Sequence, residues 1–216
     1  MRISVVIPVY EDAEALGRNL PRGFDEVVVV DASREVPVRG ADLPPGVRLL
    51  RSEVASRAVQ MNAGAAEVSG EVLLFLHADT AVPSGAAEAI RQALADPSVV
   101  GGGFARRFDH PSQFLAWTCR LAAWRSRRFG WFLGDQAIFV RREDFTALGG
   151  YSQARSFEDL DLSRRLKGRG KLRCLELVAV SSGRRFAGGP LRRTLADLGL
   201  TFRYLLTGLR GFTDTD

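Results

Sequence analysis

Cysteine is nearly absent: Cys119 and Cys174 are the only two in 216 residues. Two cannot build a disulfide framework, and neither lies in a CxxC or Cys/His cluster, which argues against zinc. They read as two reduced, buried thiols of a cytoplasmic protein. Lysine is as scarce, with Lys167 and Lys171 alone among thirty basic residues. Neither histidine, His77 nor His110, stands by a serine or cysteine in a way that suggests a triad. No apolar run approaches the ~20 residues of a membrane span. No basic segment followed by an apolar stretch and a cleavage site opens the chain, so no targeting segment is expected. A GxGxxG after the first strand and a GxxxxGKS or GxxxxGKT anywhere are missing too. These absences weigh against a dinucleotide-dependent dehydrogenase and a P-loop enzyme.

What is present is ordinary in bulk and uneven in detail. Hydrophobic residues make up 46% and charged residues 25%, a balance that folds rather than stays disordered. The formal charge is +5, carried almost wholly by arginine. Six arginines and a single acid, Asp109, fall between Phe104 and Gly130. Such a patch suits a phosphorylated substrate, an anionic membrane or a nucleic acid, and equally a solvated face.

Ile3 to Val9, Glu26 to Val30, Val47 to Leu50 and Val72 to Leu76 read as strands, the first, second and fourth as buried ones. Glu11–Leu20 and Ser56–Val68 read as helices between them. Continuous apolar strands alternating with helices predict a parallel sheet covered on both faces. Ligands of such sheets bind beyond the carboxyl ends of the strands. There stand Pro8 to Glu11, Asp31 to Ser33, and His77 to Asp79. Farther on, helices are expected at Ser84–Ala95, Ser112–Phe129, Phe157–Gly168 and Leu191–Leu209. Strands are expected at Val99–Phe108, Ala137–Val140 and Leu172–Val180. The run Gly101-Gly102-Gly103 reads as a bend or a close backbone approach.

Three segments carry candidate chemistry. Asp79, just past a buried strand, is placed to hold a hard divalent cation, or to cap the next turn. Glu158, Asp159 and Asp161 open a helix, where acids favour the helix dipole. Leu160, Leu162 and Leu166 bury part of that turn and turn some acids toward a cleft, where a carboxylate with a pKa near 4 could serve as an ionised general base. Arg184 and Arg185 follow a strand and could clamp a pyrophosphate, or form an exposed basic turn.

Taken in order, these segments resemble family 2 glycosyltransferases along nearly the whole chain. Val5-Val6-Ile7-Pro8-Val9-Tyr10-Glu11 is similar to the family's first strand and nucleotide loop. Val30-Asp31-Ala32-Ser33 resembles the element whose Asp meets the base, with Ala32 in place of the usual second acid. Arg57, Asn62 and Gly64 match the helix that follows. His77-Ala78-Asp79 stands where the D-x-D metal motif belongs, with His77 replacing its first Asp. Arg141-Arg142-Glu143-Asp144-Phe145 with Leu148-Gly149-Gly150-Tyr151 resembles R-R-E-x-F…G-G-F. Glu158-Asp159-Leu160-Asp161-Leu162 matches E-D-x-D-L, and Arg185-Phe186 the R-W of Q-x-x-R-W. Gly134-Asp135-Gln136 and Arg184-Arg185-Phe186 look closest to a bacterial subgroup named for arsenosugar biosynthesis or radical-SAM association.

The resemblance implies a GT-A Rossmann-like α/β fold with a mostly parallel central sheet flanked by helices. The chain 1–216 would be a single domain: 1–80 the nucleotide-binding half, 81–190 the acceptor half and 191–216 a C-terminal helical extension. It implies a nucleotide-diphosphate sugar donor, a UDP-sugar by expectation, and one inverting transfer to an unidentified small-molecule or lipid-phosphate acceptor. Asp31 would hold the base, with Pro8 and Glu11 shaping the pocket. Asp79 would bind Mg2+ or Mn2+, and Arg184 and Arg185 the diphosphate. Asp159 would be the base, with Arg57, Asp135 and Glu158 as further substrate contacts. No nucleic acid is expected as a partner; a homodimer and peripheral contact with the inner membrane face are left open. Ser112–Phe129 and Leu191–Leu209 carry tryptophans, leucines and arginines that suit either a membrane interface or a core-facing helix with a polar back. A sugar-phosphate nucleotidyltransferase and a non-catalytic anion- or nucleic-acid-binding module are the rival readings.

Overall fold

The computed structural model describes residues 1–154 and 156–212. Residues 213–216 of the expected C-terminal extension lie outside the described residues. Eight strands form one sheet: β1 (Ile3–Val9), β2 (Glu26–Asp31), β3 (Val47–Arg51), β4 (Val72–Phe75), β5 (Thr80–Ala81), β6 (Val99–Asp109), β7 (Ile138–Arg141) and β8 (Lys171–Ser182). Their order is β3-β2-β1-β4-β7-β6-β8-β5. The first four strands are parallel neighbours. β7 then enters antiparallel to β4 and β6, β6 and β8 pair in parallel, and β5 closes the edge antiparallel to β8. The sheet is therefore mostly parallel, as expected, with antiparallel pairs confined to its second half.

The helices are α1 (Ala13–Asn19), α2 (Arg57–Glu67), α3 (Ala86–Ala93), α4 (Gln113–Phe129), α5 (Arg142–Ala147), α6 (Glu158–Lys167) and α7 (Pro190–Thr207). Alternate residues of β1 explain why its run is continuously apolar. Ile3, Val5, Ile7 and Val9 join the cluster that includes Leu16, Ile90 and Phe139, while Val6 faces Met61, Leu73 and Leu162 on the other side. Both faces of the strand are buried, so neither position can be polar without a partner. Ser4 meets that rule by donating to Glu26 at 2.7 Å and accepting from the Gly70 N–H.

Several local features differ from the sequence expectation, among them the short strand β5 and a first helix that begins at Ala13 rather than Glu11. The segment Arg142–Ala147 is a helix, although its sequence offers only a motif. Cys119 is buried, but Cys174 is half-buried, so only one thiol fits the buried reading. The glycine run makes a close backbone approach, and the β6–β8 register shifts between Val99 and Gly101. A side chain on Gly102 would strike the Arg173 backbone, and one on Gly101 would lie 2.5 Å from the Phe139 carbonyl.

Candidate active site

The ends of β1, β2 and β4 deliver their terminal residues to one edge of the sheet, and α6, β8 and two 3₁₀ turns meet them there. Gln60 of α2 ties the first two strands together, donating to the carbonyls of Val9 and Val30 at 2.7 Å each. Pro8 is buried within β1 and pairs in register with Val30. Glu11 does not point freely into a pocket. Its carboxylate accepts from the backbone N–H groups of Arg34, Glu35 and Val36, and these bonds hold its carboxyl below the usual carboxylate range. Its own N–H donates to Ser33 Oγ at 2.7 Å. Glu11 thus shapes the 33–36 loop, at the cost of a left-handed backbone with φ 50°. Asp31 is also engaged: it accepts from the Ser33 and Val38 N–H groups and pairs with Arg51. Both of its oxygens serve to organise the loop beyond β2.

The two arginines after β8 go separate ways. Arg184 stands between two carboxylates, 2.7 Å from Asp12 and 3.5 Å from Asp79. Burial raises the Asp79 pKa, and the Arg184 charge opposes the rise. Arg185 turns to Asp135 at 3.4 Å, its guanidinium over the rings of Phe108 and Phe186. Asp135 lies in the 3₁₀ turn Gly134–Gln136 and takes Arg106 as its main partner at 2.6 Å. Burial pushes its pKa up, but Arg106 and Arg185 outweigh that and hold it below the ordinary value.

The deepest part of the site lies between Asp159, His77 and Gly134. Asp159 sits in the first turn of α6, and the His77 Nε2 is 3.9 Å from its Oδ2. A side chain on Gly134 would clash with the His77 ring and come within 2.5 Å of Asp159, so only glycine allows this approach. His77 Nε2, Asp159 Oδ1 and the Tyr151 hydroxyl are all shut off from solvent without a well-formed hydrogen bond, and the Tyr151 hydroxyl interacts with the Asp159 carboxyl. Orphaned buried polar atoms are rare and costly, about 1–3 kcal/mol each, and mark places where a ligand group belongs. Burial, followed by the neighbouring Glu158 charge, pushes Asp159 up to about 8. That corrects the expectation of an unperturbed carboxylate ionised from about pH 4 upward. Burial and the Arg57 charge push His77 down to about 3, so its ring is neutral. Glu158 is buried and pairs with Arg57 of α2 at 3.4 Å. Phe157, which introduces the turn, has φ 68° and stacks on Tyr204 of α7 with ring centroids 5.1 Å apart.

The structure thus brings Asp79, Asp135, Glu158, Asp159, Arg57, Arg184 and Arg185 into one neighbourhood, while Pro8 is buried within β1 and Glu11 and Asp31 are engaged with the 33–38 loop. Asp12 and Arg106 were missed from sequence. Asp12 occupies an N-cap position yet makes no capping bond, which leaves its carboxylate to Arg184. Arg106 had a signal: on a strand it shares a face with Phe104 and Phe108, and an arginine among buried aromatics demands a carboxylate. Among the described residues no group of three or more His, Cys, Asp or Glu forms a metal site of its own.

The family model for Glycosyl transferase family 2 matches residues 4–130, more than half of the chain. No curated protein matches. A solved structure, the mannosyltransferase PcManGT from Pyrobaculum calidifontis in complex with GDP-Man and Mn2+, superposes with a TM-score of 0.61 at 24% identity. That alignment takes in 83% of this chain and 56% of the mannosyltransferase, so the chain spans little more than half of that structure's length. A likeness at that identity establishes the GT-A Rossmann-like fold. The family assignment comes from the matched residues themselves, which include the β1 and β2 loops and the His77–Asp79 segment: the chain belongs to glycosyl transferase family 2.

Proposed function

We propose that this protein is a glycosyltransferase that moves one sugar from a nucleotide-diphosphate sugar to an acceptor hydroxyl, inverting the anomeric carbon, with Asp159 as the general base. The observation that carries this reading is the Asp159 carboxyl, buried at the start of α6 beside the strand ends and 3.9 Å from His77 Nε2. Burial raises its pKa to about 8, so the carboxyl becomes ionised, and able to take the acceptor proton, as pH rises through that value; once ionised it is a stronger base than an ordinary carboxylate. The acceptor oxygen attacks the sugar carbon as the bond to the diphosphate breaks. The acceptor proton passes to Asp159, and the nucleoside diphosphate leaves with the bond's electron pair. Membership of the family and the GDP-Man bound by the similar structure support the donor class. Residues 1–80 would hold the nucleotide and 81–190 the acceptor side. The similar structure holds GDP-Man, whereas the sequence resemblance implies a UDP-sugar for this chain.

The residues fit a divalent cation only in company with a diphosphate. Asp12 and Asp79 flank Arg184, an arrangement that already attracts positive charge. Mg2+ or Mn2+ commonly takes one or two carboxylates and completes its shell with phosphate oxygens and water. Asp79, with Asp12 beside it, would hold the ion, which when bound neutralises charge on the departing diphosphate. Arg184 would then be released toward the same phosphates, and Arg185 would anchor Asp135 at the sugar end.

A thermal-shift panel of UDP, GDP, CDP and ADP, each with and without Mn2+, tests the donor site. Metal-dependent stabilisation by one nucleotide is expected and names the base. A flat response to all four would overturn the reading.

A further inference from the structure

Sugar transfer leaves one face of the molecule unused. The buried stripe of α4 is Leu115, Cys119, Ala122 and Ser126. Opposite it, at spacings of three and four, stand Trp117, Arg120, Leu121, Trp124, Arg127 and Arg128, all exposed. Trp117 and Trp124 are each 57% exposed, unusual for so large an apolar ring. The helix contains no acidic residue. The polar back expected of a core-facing helix is thus a tryptophan and arginine face.

A second feature meets this face at its C-terminal end. Beyond Arg127 and Arg128 opens a cavity of about 280 Å³ whose charged lining is Arg127, Arg128, Lys167, Lys171 and Arg173. The only two lysines of the chain both line it. Its lining contains no carboxylate; Arg173 reaches Asp96 outside it at 3.9 Å. Lys167 ends the ten-residue helix that Glu158 begins, so it lies ~12 Å from Asp159 along that helix.

The third feature is α7, which touches α4. Leu191, Leu195, Leu198, Phe202 and Leu206 recur along one of its faces and are all exposed, Leu206 to 71%. Only Tyr204 of this 18-residue helix is buried. Indole rings with flanking arginines match the headgroup layer of a bilayer, where an apolar body and a polar edge are both satisfied. A leucine stripe on the adjoining helix suits acyl chains, whereas a nucleic acid offers it nothing. The clustered cations complement anionic headgroups.

We propose that the α4 face, the basic cavity at its end and the leucine stripe of α7 dock this protein on an anionic bilayer, with Trp117 and Trp124 among the headgroups and a lipid phosphate in the cavity. This assignment does not depend on sugar transfer. The whole chain is co-sedimented with vesicles of phosphatidylcholine alone and with added phosphatidylglycerol. At least tenfold tighter binding to the anionic vesicles is expected, weakening as salt is raised, with a blue shift of tryptophan emission. Trp117→Ala with Trp124→Ala, and separately Lys167→Glu with Lys171→Glu, should each weaken binding at least tenfold. All four side chains are exposed, so the thermal melt and the nucleotide-dependent shift should be unchanged. Absence of vesicle binding, equal binding to neutral vesicles, or variants that bind as the parent would overturn the proposal. A dimer that Trp117→Ala with Trp124→Ala dissociates, without vesicle binding, would assign the face to a second copy and equally overturn it.

Discussion

At the scale of single residues, charge placement decides the chemistry. Asp159→Asn keeps the shape and removes the proton acceptor, so transfer should fall by about 10²–10⁴-fold. The nucleotide-dependent thermal shift should survive. Retained turnover in a coupled diphosphate-release assay would sink the base assignment. The same substitution carries a stability signature. Asp159 titrates at about 8 in the folded chain against an ordinary 3.8. Between those values the folded protein keeps a proton that the unfolded chain has released, so stability declines as pH rises through that window. Urea midpoints at pH 5 and pH 8 should therefore converge in Asp159→Asn relative to the parent. Arg106→Met tests a different charge. It leaves Asp135 buried with only the more distant Arg185, and breaking such a pair costs about 3–5 kcal/mol. A melting temperature unchanged by that substitution would contradict the network.

At the scale of elements, two junctions hold the site in place. Phe157 keeps a left-handed backbone immediately before Glu158 and Asp159, and its ring is held by Tyr204 and Phe212. Tyr204→Ala should let the first turn of α6 relax and lower turnover, up to ~10²-fold for a displacement near 1 Å. Nucleotide binding should be spared. A parent-like rate would show that the stacking does not position Asp159. In β6, Gly102→Ala forces a side chain into the Arg173 backbone of the neighbouring strand. Over-packing of this kind costs about 1–3 kcal/mol, read as a lowered melting temperature. Strand and helix identities were legible locally, because both faces of β1 are apolar and Ser56 to Val68 repeats with helical period. The short α5 was not, since Arg142–Ala147 has no apolar periodicity of its own. Its Phe145 is fixed by Phe75 and Tyr151 from distant segments, with ring centroids 5.0 and 5.7 Å away.

At the scale of the whole molecule, the sheet gathers residues separated by up to 172 positions, the span between Asp12 and Arg184. Among the described residues no helix is long and apolar enough to cross a membrane. Asp79→Ala tests the gathering as a unit. It should reduce the Mn2+-dependent part of the nucleotide thermal shift and leave the metal-independent part, and an unchanged Mn2+ response would remove Asp79 from the metal reading.

The sequence by itself determined the alternation of buried strands and helices and the placement of Asp31, Asp79 and Asp159 at element ends. Those are properties of short windows, where periodicity and residue type suffice. Only the tertiary structure decided that β7 runs antiparallel beside β4, and that Arg184 joins Asp12 while Arg185 joins Asp135. It alone raised Asp159 by burial and left the α4 tryptophans facing outward. Each depends on the distance and solvent exposure between remote segments, quantities that no local window contains.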